Sequence, residues 1–257
     1  VYKGNLELEG DLAETVLTTL KRVEGNLTIR ESSTESLGNL EYVGGNLYIW
    51  DPSIKSLGNL KYVGGDLTLA ETNCKSLGKL EYVGGNAHLR RVHDNFSLGN
   101  LKRVEGDLDL HENLIKSLDK LEHVGGSLKL QWTRVKSLGK LKYVGDFLAL
   151  WKTRIETFEN LKYVGGQLNV SSTPFKSFGK LKYIGASLSL KDTPIKSFGN
   201  IERVRGNLNL ESTQIESFGN LKRVDRNLEL KDSKISKIMS VDEILSKVKV
   251  GGNIYFD

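Results

Sequence analysis

Residues 43 to 62 read V-G-G-N-L-Y-I-W-D-P-S-I-K-S-L-G-N-L-K-Y, and the same arrangement returns about every 20 residues along almost the whole chain. Self-similarity at such a period marks a repeat architecture, in which each unit buries its apolar face only by stacking on its neighbours. The first apolar residue of each alternating segment serves as a rung marker. These are Leu6, Leu27, Leu47, Leu67, Ala87, Leu108, Leu128, Leu148, Leu168, Leu188, Leu208, Leu228 and Ile254, thirteen in all, 20 or 21 residues apart until the last interval. The pattern predicts one mainly β repeat solenoid of about 13 rungs. Residues 1–26 form an N-terminal rung with a capping helix, 27–235 the regular repeats, and 236–257 a C-terminal helix and last strand.

Alternation in residues 44–50 has period two, so Leu47 and Ile49 face one side while Asn46, Tyr48 and Trp50 face the other. A short parallel strand with its leucines in the core follows. Ile54, Leu57, Leu60 and Val63 then return to the core in three-residue steps, which suit a tight turn, a 3₁₀ segment or a short extended run better than a full helix. Glycines such as Gly58, Gly64 and Gly65 recur in nearly every rung without the Lys-Ser/Thr pair of a phosphate loop, so they read as corners needing positive φ or close backbone approach. Thr72, Thr133, Thr153, Thr173, Thr193 and Thr213 share one position, taken by Ser32, Asn113 and Ser233 elsewhere, and read as a polar ladder bonding the turn after the strand. Cys74 stands where Ile54 and Ile115 stand, as a buried apolar substitute.

The motif L-x-L-x-x-T/N-x-I resembles the leucine-rich repeat, with threonine at the family's usual asparagine, and V-G-G-N-L-x-I resembles the rungs of receptor L domains. The resemblance covers nearly all of the chain. It implies a curved right-handed solenoid with a parallel sheet on the concave side, and partner binding as the commonest use. The chain lacks the cysteine-rich end caps of the family's secreted members.

Uncapped solenoids expose their core, so the ends need covering. Leu12, Val16, Leu17 and Leu20 lie at helical spacing, and Asp11 with Glu14 has the spacing of a capping box. Leu228 and Ile254 are 26 residues apart, and Ser240 with Glu243 repeats that spacing before Ile244, Leu245 and Val248. A short helix is expected at both ends.

Composition adds bounds. A net charge of +5 with pI near 9.0 is mild for 257 residues and the charges are interspersed, which argues against nucleic acid as partner. No apolar run is long enough to insert in a membrane. The lone Cys74 excludes an intramolecular disulfide and favours a reducing compartment, while the start at Val1 leaves room for a removed leader or domain, so localisation stays open. The sequons at Asn26, Asn95 and Asn169 arise readily from the repeat itself.

Positions that repeat are scaffold. Tyr42, Tyr62, Tyr82, Tyr143, Tyr163 and Tyr183, interrupted by Arg103, His123, Arg203 and Arg223, read as a stacked surface ladder. The residues before them alternate in sign from Lys21 to Glu122 across rungs about 4.8 Å apart. Function is expected where the outward strand positions differ: Tyr48, Trp50, His88, Arg90, Asp109, His111, Lys129 and Trp151. Just beyond the strands lie Asp51, Arg91, Trp132, Arg134, Lys152 and Arg154. Trp with Arg is the pairing enriched in binding hot spots. His88, Asp109 and His111 have no recognised ligand spacing and read as polar contacts, not as a zinc site. No nucleophile, base and orienting group occur together, so no enzyme and no cofactor are expected.

These positions favour a non-catalytic module binding an acidic or mixed-charge protein or peptide, as a monomer or weak homo-oligomer. The alternatives are capture of a small anionic or aromatic ligand between Phe147 and Trp151 above Ala149, and a self-assembling structural element.

Overall fold

The segment Leu47–Trp50 is a strand with Leu47 and Ile49 wholly buried and Trp50 exposed, as the alternation requires. The computed structural model describes residues 1–90, 92 and 96–256, without the side chains of Leu12 and Arg90. It divides into two compact units, Val1–Gly126 and Ser127–Asp257. In the first, Leu6–Gly10, Leu27–Ser32, Leu47–Trp50, Leu67–Ala70, Ala87–Arg90 and Leu108–Asp109 pair in parallel and in chain order. In the second, strands opening at Leu128, Leu148, Leu168, Leu188, Leu208, Leu228 and Ile254 do the same. Each unit is a parallel β-solenoid, and every rung marker opens a strand.

The return segments, left open by the sequence between 3₁₀ and extended, combine the two: the step from Leu57 to Leu60 is a tight turn closed by Leu60 N–H to the Leu57 carbonyl at 3.1 Å, and the step to Val63 is extended. Two-residue strands such as Tyr42–Val43, Tyr62–Val63 and Tyr82–Val83 stack into a second parallel sheet, and bridges such as Ser36 to Ser56 and Ser76 to Ser97 add a third line of contact. Extended backbone lets each segment bond to the rung beside it, whereas a single helical turn would leave most of its polar groups unpaired. A 3₁₀ turn occurs at Ile235–Lys237, within the lengthened last interval.

Stacking at this spacing decides which residues fit. A Cβ on Gly64 would lie 2.1 Å from the Gly44 carbonyl oxygen, whereas Gly58 is required for its φ of +57°. The Asn/Asp after the glycine pair has a role not read from the sequence. The backbone N–H groups of Asn46, Asp66, Asn86 and Asp107 donate to Oδ1 of Asn26, Asn46, Asp66 and Asn86 at 2.7 to 2.8 Å, rung upon rung. The threonine ladder works within the turn: Thr153, Thr173, Thr193 and Thr213 donate Oγ1 to the carbonyl three residues back at 2.5 to 2.7 Å. Sign alternation gives exposed pairs such as Lys61 with Glu41 and Lys102 with Glu81, both at 2.8 Å. Solvent screening leaves each of them a small part in stability.

Both helices form, with one correction. In α1 (Leu12–Thr19), Asp11 has helical backbone angles and makes no cap, because capping requires an extended N-cap residue; its Oδ1 accepts from Ser33 Oγ at 2.7 Å instead. In α2 (Val241–Lys247), the Ser240–Glu243 capping box is complete. Ile244 and Val248 are buried, while Leu245, expected beside them, is 49% exposed.

Two outcomes follow. Gly64→Ala should lower unfolding free energy in urea by roughly 2 to 4 kcal/mol, since backbone must shift, while Gly78→Ala, with open space at φ +57°, should cost about 1 kcal/mol. Equal losses would show that close approach does not govern the glycine column. Cys74 is buried and burial pushes its thiol pKa up, so a thiol reagent should label it only on unfolding.

Candidate functional site

In Val1–Gly126 the outward strand positions hold an aromatic pair, and a histidine–carboxylate cluster joins His88 and Asp109 to His111, expected on the strand but lying in the turn after Leu108–Asp109. Tyr48 and Trp50 stack with centroids 6.3 Å apart, and Tyr48 Oη accepts from Asn46 Nδ2 at 2.9 Å. Trp50 is 53% exposed. His88 stands opposite Asp109 in register, and its buried Nδ1 has no partner. Asp109, expected to face outward, is 5% exposed. Its Oδ1 turns back to accept the His111 N–H at 3.2 Å and lies 2.5 Å from His111 Nδ1, which encloses the carboxylate in its own turn. Among the described residues no group of three or more His, Cys, Asp and Glu is placed to hold a metal ion. Arg91 and the sequon at Asn95 lie outside the described residues, and Arg90 is placed by its backbone pairing with Ala70 alone.

Asp51 corrects the expectation in the same unit. Grouped by sequence with the outward residues, it is 1% exposed. Its Oδ2 accepts from Ser32 N–H at 2.7 Å and Ser32 Oγ at 2.5 Å, and its Oδ1 from Ser53 N–H at 2.8 Å. A carboxylate with three donors ties two rungs together and is spent on the scaffold.

In Ser127–Asp257 the expected residues converge. Lys129 stands opposite Ala149 in register, and Phe147 and Trp151 stack over that alanine with centroids 6.2 Å apart and planes 26° apart. Ala149, although outward, is therefore fully buried. On the adjoining rung the Trp132 N–H donates to the Trp151 carbonyl at 3.3 Å, and Gln131 Oε1 is buried without a partner. Arg134, Lys152 and Arg154 are exposed, and none has an ion-pair partner among the described residues.

Trp132 is the unusual member. It has φ of +63° in a column otherwise occupied by Glu31, Glu71, Glu112, Lys152, Ser172, Asp192, Ser212 and Asp232. The left-handed conformation costs a bulky residue on the order of 1–2 kcal/mol. At 58% exposure its burial returns little of that. Sequence comparison of rungs flagged the tryptophan but not its backbone, because polar residues at the other turns were not recognised as a left-handed column.

Further along this unit the outward residues satisfy one another. Ser171 Oγ lies 2.7 Å from Ser189 Oγ, while Asn169 and Asn209 accept the backbone N–H two residues on. The tyrosines form their own scaffold, with Tyr42, Tyr62 and Tyr82 at 4.8 and 5.0 Å in one unit and Tyr143, Tyr163 and Tyr183 at 4.8 and 4.7 Å in the other.

Asp51→Ala should destabilise by roughly 2 to 3 kcal/mol in urea unfolding, because two buried Ser32 donors lose their acceptor. A loss under 0.5 kcal/mol, the usual size for a surface change, would return Asp51 to the surface set. No protein-family model matches the chain, and no curated protein matches it.

Proposed function

We propose that the protein is a non-catalytic module that binds a protein or peptide on the outward face of the strands that open at the rung markers and of the turns that follow them. The observation that carries this reading is Trp132, more than half exposed in an unfavourable backbone conformation and bonded to the carbonyl of Trp151. Strain and exposed aromatic area are both unfavourable in the free protein, and a partner that covers the ring offsets them. Lys129, Arg134, Lys152 and Arg154 supply donors without carboxylate partners among the described residues, which suits an acidic or mixed-charge partner. In the other unit, Tyr48 and Trp50, with His88 and His111 nearby, form a second patch of the same chemistry. The resemblance of the rung motif to leucine-rich repeats supports the same use.

Geometry favours a partner's surface over a small ligand between Phe147 and Trp151. Inserting a flat ring needs about 7 Å between the flanking rings, two stacking distances, but these lie 6.2 Å apart and already stack.

Replacing both Trp132 and Trp151 with alanine should weaken the captured partner by roughly 2 to 4 kcal/mol in calorimetry, with the melting temperature little changed. Alanine at Ser189 and Asn209 should change neither. A double tryptophan variant that binds normally, or that loses binding only by unfolding, would remove this face as the interface.

A further inference from the structure

The second sheet is interrupted once within Ser127–Asp257. Tyr143–Val144, Tyr163–Val164 and Tyr183–Ile184 pair in order, but Arg203–Val204 begins a separate sheet with Arg223–Val224 and Lys249–Val250. Elsewhere in this unit two backbone bonds join each pair of rungs, such as Lys182 N–H to Lys162 and Gly185 N–H to Val164. The equivalent donors Glu202 N–H and Arg205 N–H make no such bond to Lys182 and Ile184, and pairing resumes only at Gly206 N–H to Ala186, at 3.1 Å.

Side chains account for the gap. Arg205 replaces the glycine that other rungs place against the preceding carbonyl; a Cβ on Gly185 would lie 1.8 Å from Gly165 O. Glu105 and Asp225 carry side chains there with pairing intact, so the Cβ alone is not enough. Arg103 and Arg223 find a carboxylate two residues on, but Arg203 meets Arg205 there and reaches to Asp225 of the next rung at 2.6 Å. Arg205 instead lies over the Tyr183 ring, 5.1 Å from its centroid. The two arginines draw their neighbours in opposite directions.

The opening is a cleft of about 510 Å³ lined by Lys182, Tyr183, Asn200, Glu202, Arg203 and Arg205 among others. Arg203 is committed to Asp225, whose carboxyl those hydrogen bonds, with Arg223, hold down to about 2, and Glu202 is answered by Lys222 at 3.6 Å. Lys182 and Arg205 have no carboxylate partner among the described residues. The sign alternation also lapses on this side, where Lys142, Lys162 and Lys182 follow one another without an intervening acid.

We propose that this cleft binds the phosphoryl groups of a linear polyphosphate chain, free or carried on a nucleotide. Lys182, Arg205 and the released N–H groups of Glu202 and Arg205 donate to its oxygens, and Lys162 extends the site by one rung. The volume exceeds that of one tetrahedral oxyanion, and two cations with two backbone donors match a run of charged oxygens. The Tyr183 face is already covered by Arg205, so a nucleobase gains no stacking.

Calorimetry of the full chain at low salt tests this with inorganic tripolyphosphate, orthophosphate and adenosine triphosphate as probes. Tripolyphosphate should bind at least about tenfold more tightly than orthophosphate and about as tightly as the nucleotide, each added phosphoryl group bringing charge-assisted bonds. Arg205→Gln and Arg205→Gly, both checked for unchanged melting, should each weaken it about tenfold or more, whereas Lys231→Gln should leave it unchanged. Absence of tripolyphosphate binding, undiminished binding in both Arg205 variants, or an equal loss in Lys231→Gln would overturn the site. Much tighter nucleotide binding would show that the base, not the phosphate chain, is recognised.

Discussion

Backbone pairing between parallel rungs about 4.8 Å apart is the constraint from which the other features follow. Every segment must return to the same height one rung on, with its N–H and C=O groups facing the rung beside it. Where that brings backbone against backbone, as at Gly64 and Gly84, an added Cβ would lie 2.1 Å from the preceding carbonyl oxygen, and most rungs keep glycine there. Where side chains lie over their counterparts, the same spacing suits planar rings, and the tyrosines stack at 4.7 to 5.0 Å. An asparagine oxygen at the same height accepts the next rung's N–H without distortion.

Against that regularity, departures carry information in proportion to what they cost. A lysine or serine in an exposed column costs almost nothing. A tryptophan in the left-handed turn at Trp132 does, and so does a ladder left open between Ile184 and Val204. The two departures differ in chemistry: one presents apolar area with exposed cations around it, the other a polar cleft with cations and freed backbone donors.

Rung positions, the buried columns, Cys74 and both helices were legible in the sequence because apolar periodicity directly records which side of the backbone meets the core. The division of the return segments into a turn from Leu57 to Leu60 and an extended run to Val63 was not, since three-residue steps fit a turn, 3₁₀ or extended backbone alike. Nor was the fate of Asp11, Asp51 and Asp109. Their spacing is that of exposed or capping residues, but whether a short carboxylate bonds a neighbouring rung or its own turn depends on which donors lie within reach after stacking. The interrupted second sheet was hidden for a related reason. Arg203 and Arg205 look like surface substitutions until their acceptors are known.

A register built this way makes whole rungs the natural unit of insertion and loss. Removing 20 consecutive residues between Leu128 and Leu228, where the rungs are 20 residues apart, brings Leu onto Leu, so the remaining strands meet partners of the same kind. Removing one residue from a strand exchanges its inner and outer faces and sets leucine against water. The one-residue register shift between Glu9 and Gly10 is tolerated at the end of its strand, after Leu6 and Leu8 have already been paired. Changes in length within such a chain are thus graded by whether they complete a turn, and a surface can be lengthened by duplication while each existing side chain keeps its neighbours.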